Sequence, residues 1–315
     1  MTTDERLMAS GSLVFDRQLL RARRLRAAAL GPSTFLIERV AEELSDRLAA
    51  VLRRFECTVD LGTPTDAVRR VLAGSGKVGT IIAADALAGV APFSLPRSPG
   101  RAGELAVAAD EEALPFRDGS LDLVVSALAL ELVNDLPGTL IQIRRALKPD
   151  GLLLAALAGG DTLTELRQAF AAAEAEIEDG ISPRVAPFAD VRELGALLQR
   201  AGFALPVTDV DRLTVRYASP IALLHDLRRM GATNALVERR RRPLKRALLA
   251  RMMEIYGARF SDPDGRIRAT FEIVWLSGWA PHASQQKPLA PGSARHRLAD
   301  ALGVREIPVP GDRGQ

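Results

Sequence analysis

Residues 110–126 read Asp-Glu-Glu-Ala-Leu-Pro-Phe-Arg-Asp-Gly-Ser-Leu-Asp-Leu-Val-Val-Ser, and residues 147–157 read Leu-Lys-Pro-Asp-Gly-Leu-Leu-Leu-Ala-Ala-Leu. Two apolar runs, Leu121–Val125 and Leu152–Leu157, flank a segment in which Leu140, Ile143 and Leu147 recur at helical spacing. Runs without alternation suit strands covered on both faces. Strand, helix and strand at this spacing predict a βαβ unit, with parallel strands and a right-handed crossover. The rest of the chain must then extend the same sheet.

Working outward, the pattern predicts strands at Thr58–Leu61, Thr80–Ala84 and Glu104–Ala108 ahead of this unit. Asp66 is placed to N-cap a helix over Ala67–Ala73, and a loop rich in Pro and Gly runs from Pro92 to Gly103. Helices over 12–30 and Phe35–Phe55 precede any strand, with Phe35, Val40, Leu48 and Leu52 as expected core contacts. Asn134-Asp135 starts the crossover helix, and Lys148-Pro149-Asp150-Gly151 reads as a turn. Downstream come helices Thr162–Glu178 and Val191–Ala201, separated by an irregular loop at Ser182–Phe188. A strand at Val207–Tyr217, helices Pro220–Met230 and Leu244–Tyr256, and a strand at Ala269–Leu276 follow. The expected organisation is a helical cap (1–55), an α/β domain (56–286) with helical insertions at about 159–202 and 219–258, and a flexible tail (287–315).

Composition excludes several classes. The chain has 315 residues, 47% apolar and 26% charged, which is ordinary for a globular protein with a large core. No apolar run approaches the ~18 residues of a membrane span. The opening Met-Thr-Thr-Asp-Glu-Arg has no apolar h-region, so no secretory signal is expected. Cys57 is the one cysteine, which rules out a disulfide within the chain and fits a reducing cytoplasm. In a predicted strand it reads as a small buried hydrophobe. His225, His282 and His296 are too scattered for a zinc site, so no metal is expected. Net charge is +3, carried by arginine clusters at Arg21, Arg23, Arg24 and Arg26, and at Arg239–Arg242 with Lys245 and Arg246. These read as solvated helix faces, and with aromatics at 4% a nucleic-acid partner is not expected.

In an open α/β sheet, ligands bind beyond the carboxyl ends of the strands, where strand order reverses. The strand ends here present Asp60-Leu61-Gly62, Asp85, Asp110 and Ser126. An acid one strand after the first suits a ribose diol, because a carboxylate accepts two hydroxyl protons. An acid after the third strand can accept an adenine amino group.

These residues carry a family resemblance. The segment from Asp110 to Gly151 resembles class I S-adenosylmethionine-dependent methyltransferases. Over roughly Phe15 to Ser293 the chain is similar to the group containing the biotin-pathway malonyl-carrier-protein methyltransferase and NADH dehydrogenase (complex I) assembly factor 5. The carriers are Phe15-Asp16-Arg17, Asp110-Glu111-Glu112, Val133-Asn134-Asp135-Leu136-Pro137, Gly159-Gly160-Asp161-Thr162-Leu163, Ser182-Pro183, Gly202-Phe203, Gly278-Trp279 and His282.

The resemblance implies a Rossmann-like sheet of about seven strands, mostly parallel with the last antiparallel, and S-adenosyl-L-methionine as cofactor. It implies that Asp60 and Gly62 line the methionine end, Asp85 holds the ribose, Asp110 and Glu111 lie near the adenine, and Ser126 borders the transfer site. No catalytic acid or base is assigned. The acceptor is a small molecule or a protein, a respiratory complex I subunit among the candidates.

Two departures stand out. The family pattern Gly-x-Gly-x-Gly is Gly62-Thr63-Pro64-Thr65-Asp66 here. Asp66 either caps its own helix or faces the methionine carboxylate, where repulsion at ~4 Å would cost roughly 4 kcal/mol. The family's Leu-His-Trp-Val is Leu130-Glu131-Leu132-Val133, which loses an aromatic wall and places Glu131 in an expected exposed turn. Three readings follow: a working methyltransferase, an assembly factor that modifies an arginine of a protein subunit, or a catalytically silent partner-binding fold. A nicotinamide dehydrogenase is disfavoured because no Gly-x-Gly-x-x-Gly follows the first strand.

Overall fold

The strands are β1 (Phe55–Leu61), β2 (Val78–Asp85), β3 (Glu104–Ala108), β4 (Leu121–Ala127), β5 (Leu147–Ala158), β6 (Ala204–Tyr217) and β7 (Ile267–Trp279). They form one sheet in the order β3-β2-β1-β4-β5-β7-β6. The computed structural model describes residues 13–87, 104–178, 180–286, 300 and 303–304. The Pro92–Gly103 loop and almost all of the tail from Lys287 therefore lie outside the described residues, as does the acidic opening of the chain.

Strands β1 to β5 pair in parallel, and β7 runs antiparallel to both β5 and β6. The chain winds outward through β2 and β3, then returns to β4 on the other side of β1. The switch point thus falls between β1 and β4. The expected fold class is the observed one, including helices α5 (Thr164–Ile177) and α6 (Val191–Arg200) before β6, and α7 (Pro220–Arg229) and α8 (Arg246–Phe260) before β7.

The apolar runs split between two cores. Leu152, Leu154 and Ala156 of β5 join the core beneath α2 (Phe35–Ala50), α3 (Ala67–Gly74), α5, α7 and α8. Leu153, Ala155 and Leu157 join the core beneath α4 (Leu136–Ala146) and α6. Burial on both faces is why the sequence shows no alternation there. Each fully buried Leu contributes roughly 1.5–3 kcal/mol.

Three local expectations need correction. Lys148–Gly151 is not a turn: β5 begins at Leu147, directly after α4, and a register shift between Leu121/Leu123 and their partners absorbs Pro149, Asp150 and Gly151 as a bulge. Asp150 takes φ +64, and its N–H donates to Ala280 O at 3.0 Å. Helix α2 ends at Ala50, because Phe55 must pair with Val78 in β1–β2. The Lys77 Nζ ammonium donates to the carbonyls of Leu48 (2.9 Å), Ala49 (2.6 Å) and Val51, closing the helix end from another element. Leu52 falls in the connection and is 99% exposed, and Phe35 is only an edge contact, 6.3 Å from the Phe271 ring. Cys57 is half-buried in β1.

The N-terminal segment is tied to the sheet by the motif at 134. Asn134 Oδ1 accepts from Val14 N (2.9 Å) and Phe15 N (2.8 Å), and its Nδ2 donates to Phe15 O (3.1 Å). Asp16 then N-caps α1 (Arg17–Ala29), accepting from Leu19 N at 3.0 Å. Residues up to Pro281 form one unit; in the other, beginning at His282, the His282 ring lies 2.6 Å from Ser284 Oγ.

Candidate functional site

Asp60 ends β1 beneath the switch point and is fully buried, with Arg69 of α3 donating to Oδ2 at 2.8 Å. Its Oδ1 makes no hydrogen bond of normal geometry, although the Thr63 side chain is near enough to favour the charged form. Burial pushes the Asp60 carboxyl up to about 6, against the pull of the Arg69 charge. Gly62 turns the chain at φ +69, and a Cβ there would lie 2.7 Å from Glu111 Oε1 and 3.0 Å from Ala129 Cβ. Only glycine fits that conformation and that approach. Asp85, at the end of β2, accepts from Leu87 N at 2.5 Å.

Glu111 is buried, and Arg17 and Arg24 of α1 both pair with it. Asp110 is half-exposed and takes Arg17 (2.9 Å) and Arg21. Burial alone would raise the Asp110 carboxyl. The Glu112 amide and these two guanidinium groups outweigh it and hold the carboxyl below the usual carboxylate range. Arg17, Arg21 and Arg24 are thus not a solvated face, since they neutralise the acids at the strand ends, while Arg26 is exposed as expected. Arg23 likewise donates to Asn234 O. In the second cluster, Arg239 pairs with Asp16, and Arg240 and Lys245 pair with Glu178.

Asp60 and Asp85 meet, with Arg24, Arg69 and Pro64, around a void of about 30 Å³, room for one water. Glu111 reaches Gly62 from the side. Ser126 is not brought in: its buried hydroxyl donates to Leu61 O at 2.7 Å and ties β4 to β1. Asp66 occupies the N-cap position of α3 but makes no cap bond. Thr65 Oγ1 accepts from Ala67 N at 3.2 Å instead, and Asp66 turns outward to Arg70 at 3.4 Å. The Asp66 carboxylate thus pairs within its own helix instead of capping it.

Beside this crevice lies a second void of about 360 Å³, sharing Arg24, Ala28 and Pro64 as walls. Glu131 lines it. The expectation of an exposed turn fails here: the short 3₁₀ turn Leu130–Leu132 faces inward, and Glu131 Oε2 is closed off without a hydrogen-bond partner. Burial pushes its carboxyl up to about 7, with Glu111 adding to the shift and Arg24 opposing it. Between the unfolded value of 4.5 and about 7, the folded chain binds more protons than the unfolded chain. Stability therefore falls as pH rises through that window and is level above it. Glu131→Gln is expected to stabilise the protein by about 3 kcal/mol at pH 8 and by nearly nothing at pH 4, read from urea midpoints. An equal effect at both pH values would show that Glu131 is solvated.

The donor set fits S-adenosylmethionine: a positive-φ glycine, an orphaned buried carboxylate oxygen and acids on successive strand ends. Arginines of α1 and α3 pair with these acids. Sequence reading missed Arg17, Arg24, Arg69 and the partial burial of Glu131; the one available signal was Arg17 within Phe15-Asp16-Arg17. Among the described residues, no group of three or more His, Cys, Asp or Glu could hold a metal, and no helix is long and apolar enough to cross a membrane.

Residues 59–155 match the model of a methyltransferase domain. The arginine-hydroxylase NDUFAF5, mitochondrial, of Homo sapiens is 36% identical over 96% of this chain and 87% of its own length. A malonyl-[acyl-carrier protein] O-methyltransferase of Gallionella capsiferriformans is 35% identical over 85% and 92%. Among solved structures, the YcgJ protein from Bacillus subtilis superposes with a TM-score of 0.53 at 17% identity, covering 78% of this chain and all of that one. A strand-end crevice of acids on this sheet, with relatives matched along most of their length, has one family reading: the chain belongs to the class I S-adenosylmethionine-dependent methyltransferase family, in the group that holds the NDUFAF5 arginine-hydroxylases and the malonyl-[acyl-carrier protein] O-methyltransferases.

Proposed function

We propose that this chain uses S-adenosyl-L-methionine to modify an acceptor carried on a protein, in a reducing cytoplasm. The observation that carries the reading is Asp60 Oδ1, a buried and unpartnered acceptor at the switch point, flanked by Gly62 and Asp85. When bound, the cofactor supplies an activated sulfonium methyl, which needs alignment more than acid–base help. Asp60 and Gly62 would hold its methionine end and Asp85 its ribose. Asp110 and Glu111 would border the adenine once α1 withdraws its arginines. Ser126 would act at a distance, by fixing β4 against β1.

Calorimetric titration with S-adenosylmethionine and S-adenosylhomocysteine tests this. Binding is expected, and Asp85→Ala should weaken it about 10- to 100-fold by removing a charge-assisted hydrogen bond. No heat at millimolar ligand would overturn the cofactor reading; an unchanged affinity in the variant would overturn the ribose assignment.

A second reading is favoured by the long match to arginine-hydroxylases, 36–39% identical over 93–96% of this chain in three vertebrates. In it the acceptor is an arginine on a protein subunit, of respiratory complex I by the family resemblance, and a silent partner-binding role is its limiting case. Mass spectrometry of captured partners separates these: an added methyl supports the first reading, an added oxygen the second, and an unmodified partner the silent role.

A further inference from the structure

The larger void is walled by apolar side chains, among them Phe15, Leu36, Leu163, Phe170, Leu227 and Phe271. Among the described residues that line it, Glu131 is the one acid. Its Oε2 is buried without a partner, and Thr233 Oγ1, on the same lining, is a second such atom. Buried polar atoms in native proteins nearly always have partners, so two unpartnered oxygens in one chamber point to a donor that enters it. The lining arginines do not supply it. Arg184 is paired with Glu174 and lies over the Phe170 ring at 5.5 Å. Arg24 reaches Glu111 through Nη1 at 3.5 Å, and its Nη2, buried on this wall without a partner, makes no hydrogen bond to Glu131; Arg229 is exposed and donates to Gly31 O at 2.7 Å.

We propose that Glu131 is the recognition carboxylate of this void, taking a guanidinium or ammonium head carried on an apolar stem. The proposal rests on the reading of this void as the acceptor chamber. Its chemistry is simple: the stem replaces water against the apolar walls, and the head donates to the Glu131 carboxylate. A guanidinium has the larger donor set and matches a carboxylate in two parallel hydrogen bonds. The residue departs from the pattern that the family resemblance implies. Where the family pattern has His and Trp, Glu131 and Leu132 add an acid and remove two rings from the same wall.

The groups that face Glu131 from neighbouring elements are Arg24 of α1 and Glu111 after β3; Arg17 of α1 donates to Leu132 O at 3.2 Å beside it. Asp60, raised to about 6, lies on the adjoining void that shares Arg24, so the comparison of wild type with Glu131→Gln at both pH values isolates the Glu131 charge.

The test uses the full chain with n-butylguanidinium as probe, and n-butylurea as its neutral isostere, by calorimetry at pH 6 and pH 8. The cation is expected to bind at least about tenfold more tightly than the urea at pH 8, because its hydrogen bond is charge-assisted. That preference should shrink at pH 6, as Glu131 takes up its proton. Glu131→Gln should erase the preference and leave urea binding unchanged. Equal binding of the two probes at pH 8, or a preference that survives in Glu131→Gln, would overturn the proposal. Should the variant fold poorly, the wild-type comparison of the two probes at pH 8 decides. S-adenosylmethionine titrated into the same sample keeps the two readings apart. Selective probe binding without cofactor binding overturns the transferase reading alone, and cofactor binding without probe selectivity overturns the role of Glu131 alone.

Discussion

Arg69→Ala is expected to destabilise the folded chain by about 3–5 kcal/mol at pH 8, the usual cost of stranding one member of a buried ion pair. Asp60 has no exposed side-chain area and Arg69 only 7%. Without the guanidinium, the buried carboxylate loses the counter-charge that is hydrogen-bonded to it. Chemical denaturation at pH 8 and pH 5 measures the effect. The deficit should shrink at pH 5, because Asp60, already raised to about 6 beside Arg69, is raised further in the variant and folds protonated. Arg69→Met restores volume but not charge, so it should share most of the loss at pH 8. A wild-type midpoint for Arg69→Ala at pH 8 would mean that Asp60 does not carry its charge in the fold.

Gly62→Ala is the second large effect. A left-handed backbone costs a non-glycine residue about 1–2 kcal/mol, and forcing a methyl into an occupied site adds about 1–3 kcal/mol. The added carbon would meet Glu111 Oε1, and behind it Glu111 Cγ and Ala129 Cβ at 3.0 Å. Glu111 cannot swing away freely, because Arg17 and Arg24 hold it. Thermal melts of Gly62→Ala, Glu111→Ala and the double variant form a cycle. A coupling of at least about 1 kcal/mol is expected, since the first variant's clash is with the second's side chain. Strict additivity would show that Glu111 does not pack on the turn.

The parallel sheet was readable because its strands are covered on both faces, which leaves unbroken apolar runs such as Leu152–Leu157. Helices with clear punctuation, at Asp135 and Gly202, were readable for the same local reason. The bulge at Pro149–Gly151 was not, because Pro, Asp and Gly serve a bulge as well as a turn, and only the register with β4 tells them apart. Leu52 looked like a core residue on helical spacing, but the pairing of Phe55 with Val78 ends the helix first. In the site, the acids at strand ends were legible and their partners were not. Arg17, Arg21 and Arg24 meet Asp110 and Glu111 across about 90 residues of chain, and no local pattern reports such a meeting. Glu131 misled for the opposite reason: a three-residue turn with an acid looks solvated, while this side chain is partly covered and lines a void shared with α1 and the segment around Thr233.

Arg24 forms part of the wall of both voids, and its Nη2 is buried without a partner. One guanidinium therefore contributes to the electrostatic potential of two chambers. A ligand that draws Arg24 toward the strand ends would leave Glu131 more negative, and a ligand that neutralises Glu131 would free Arg24 to turn back. The two occupancies are then linked, and linkage runs equally in both directions. The factor by which S-adenosylhomocysteine changes the affinity for n-butylguanidinium should equal the factor by which n-butylguanidinium changes the affinity for S-adenosylhomocysteine. Arg24→Met should bring both factors to one.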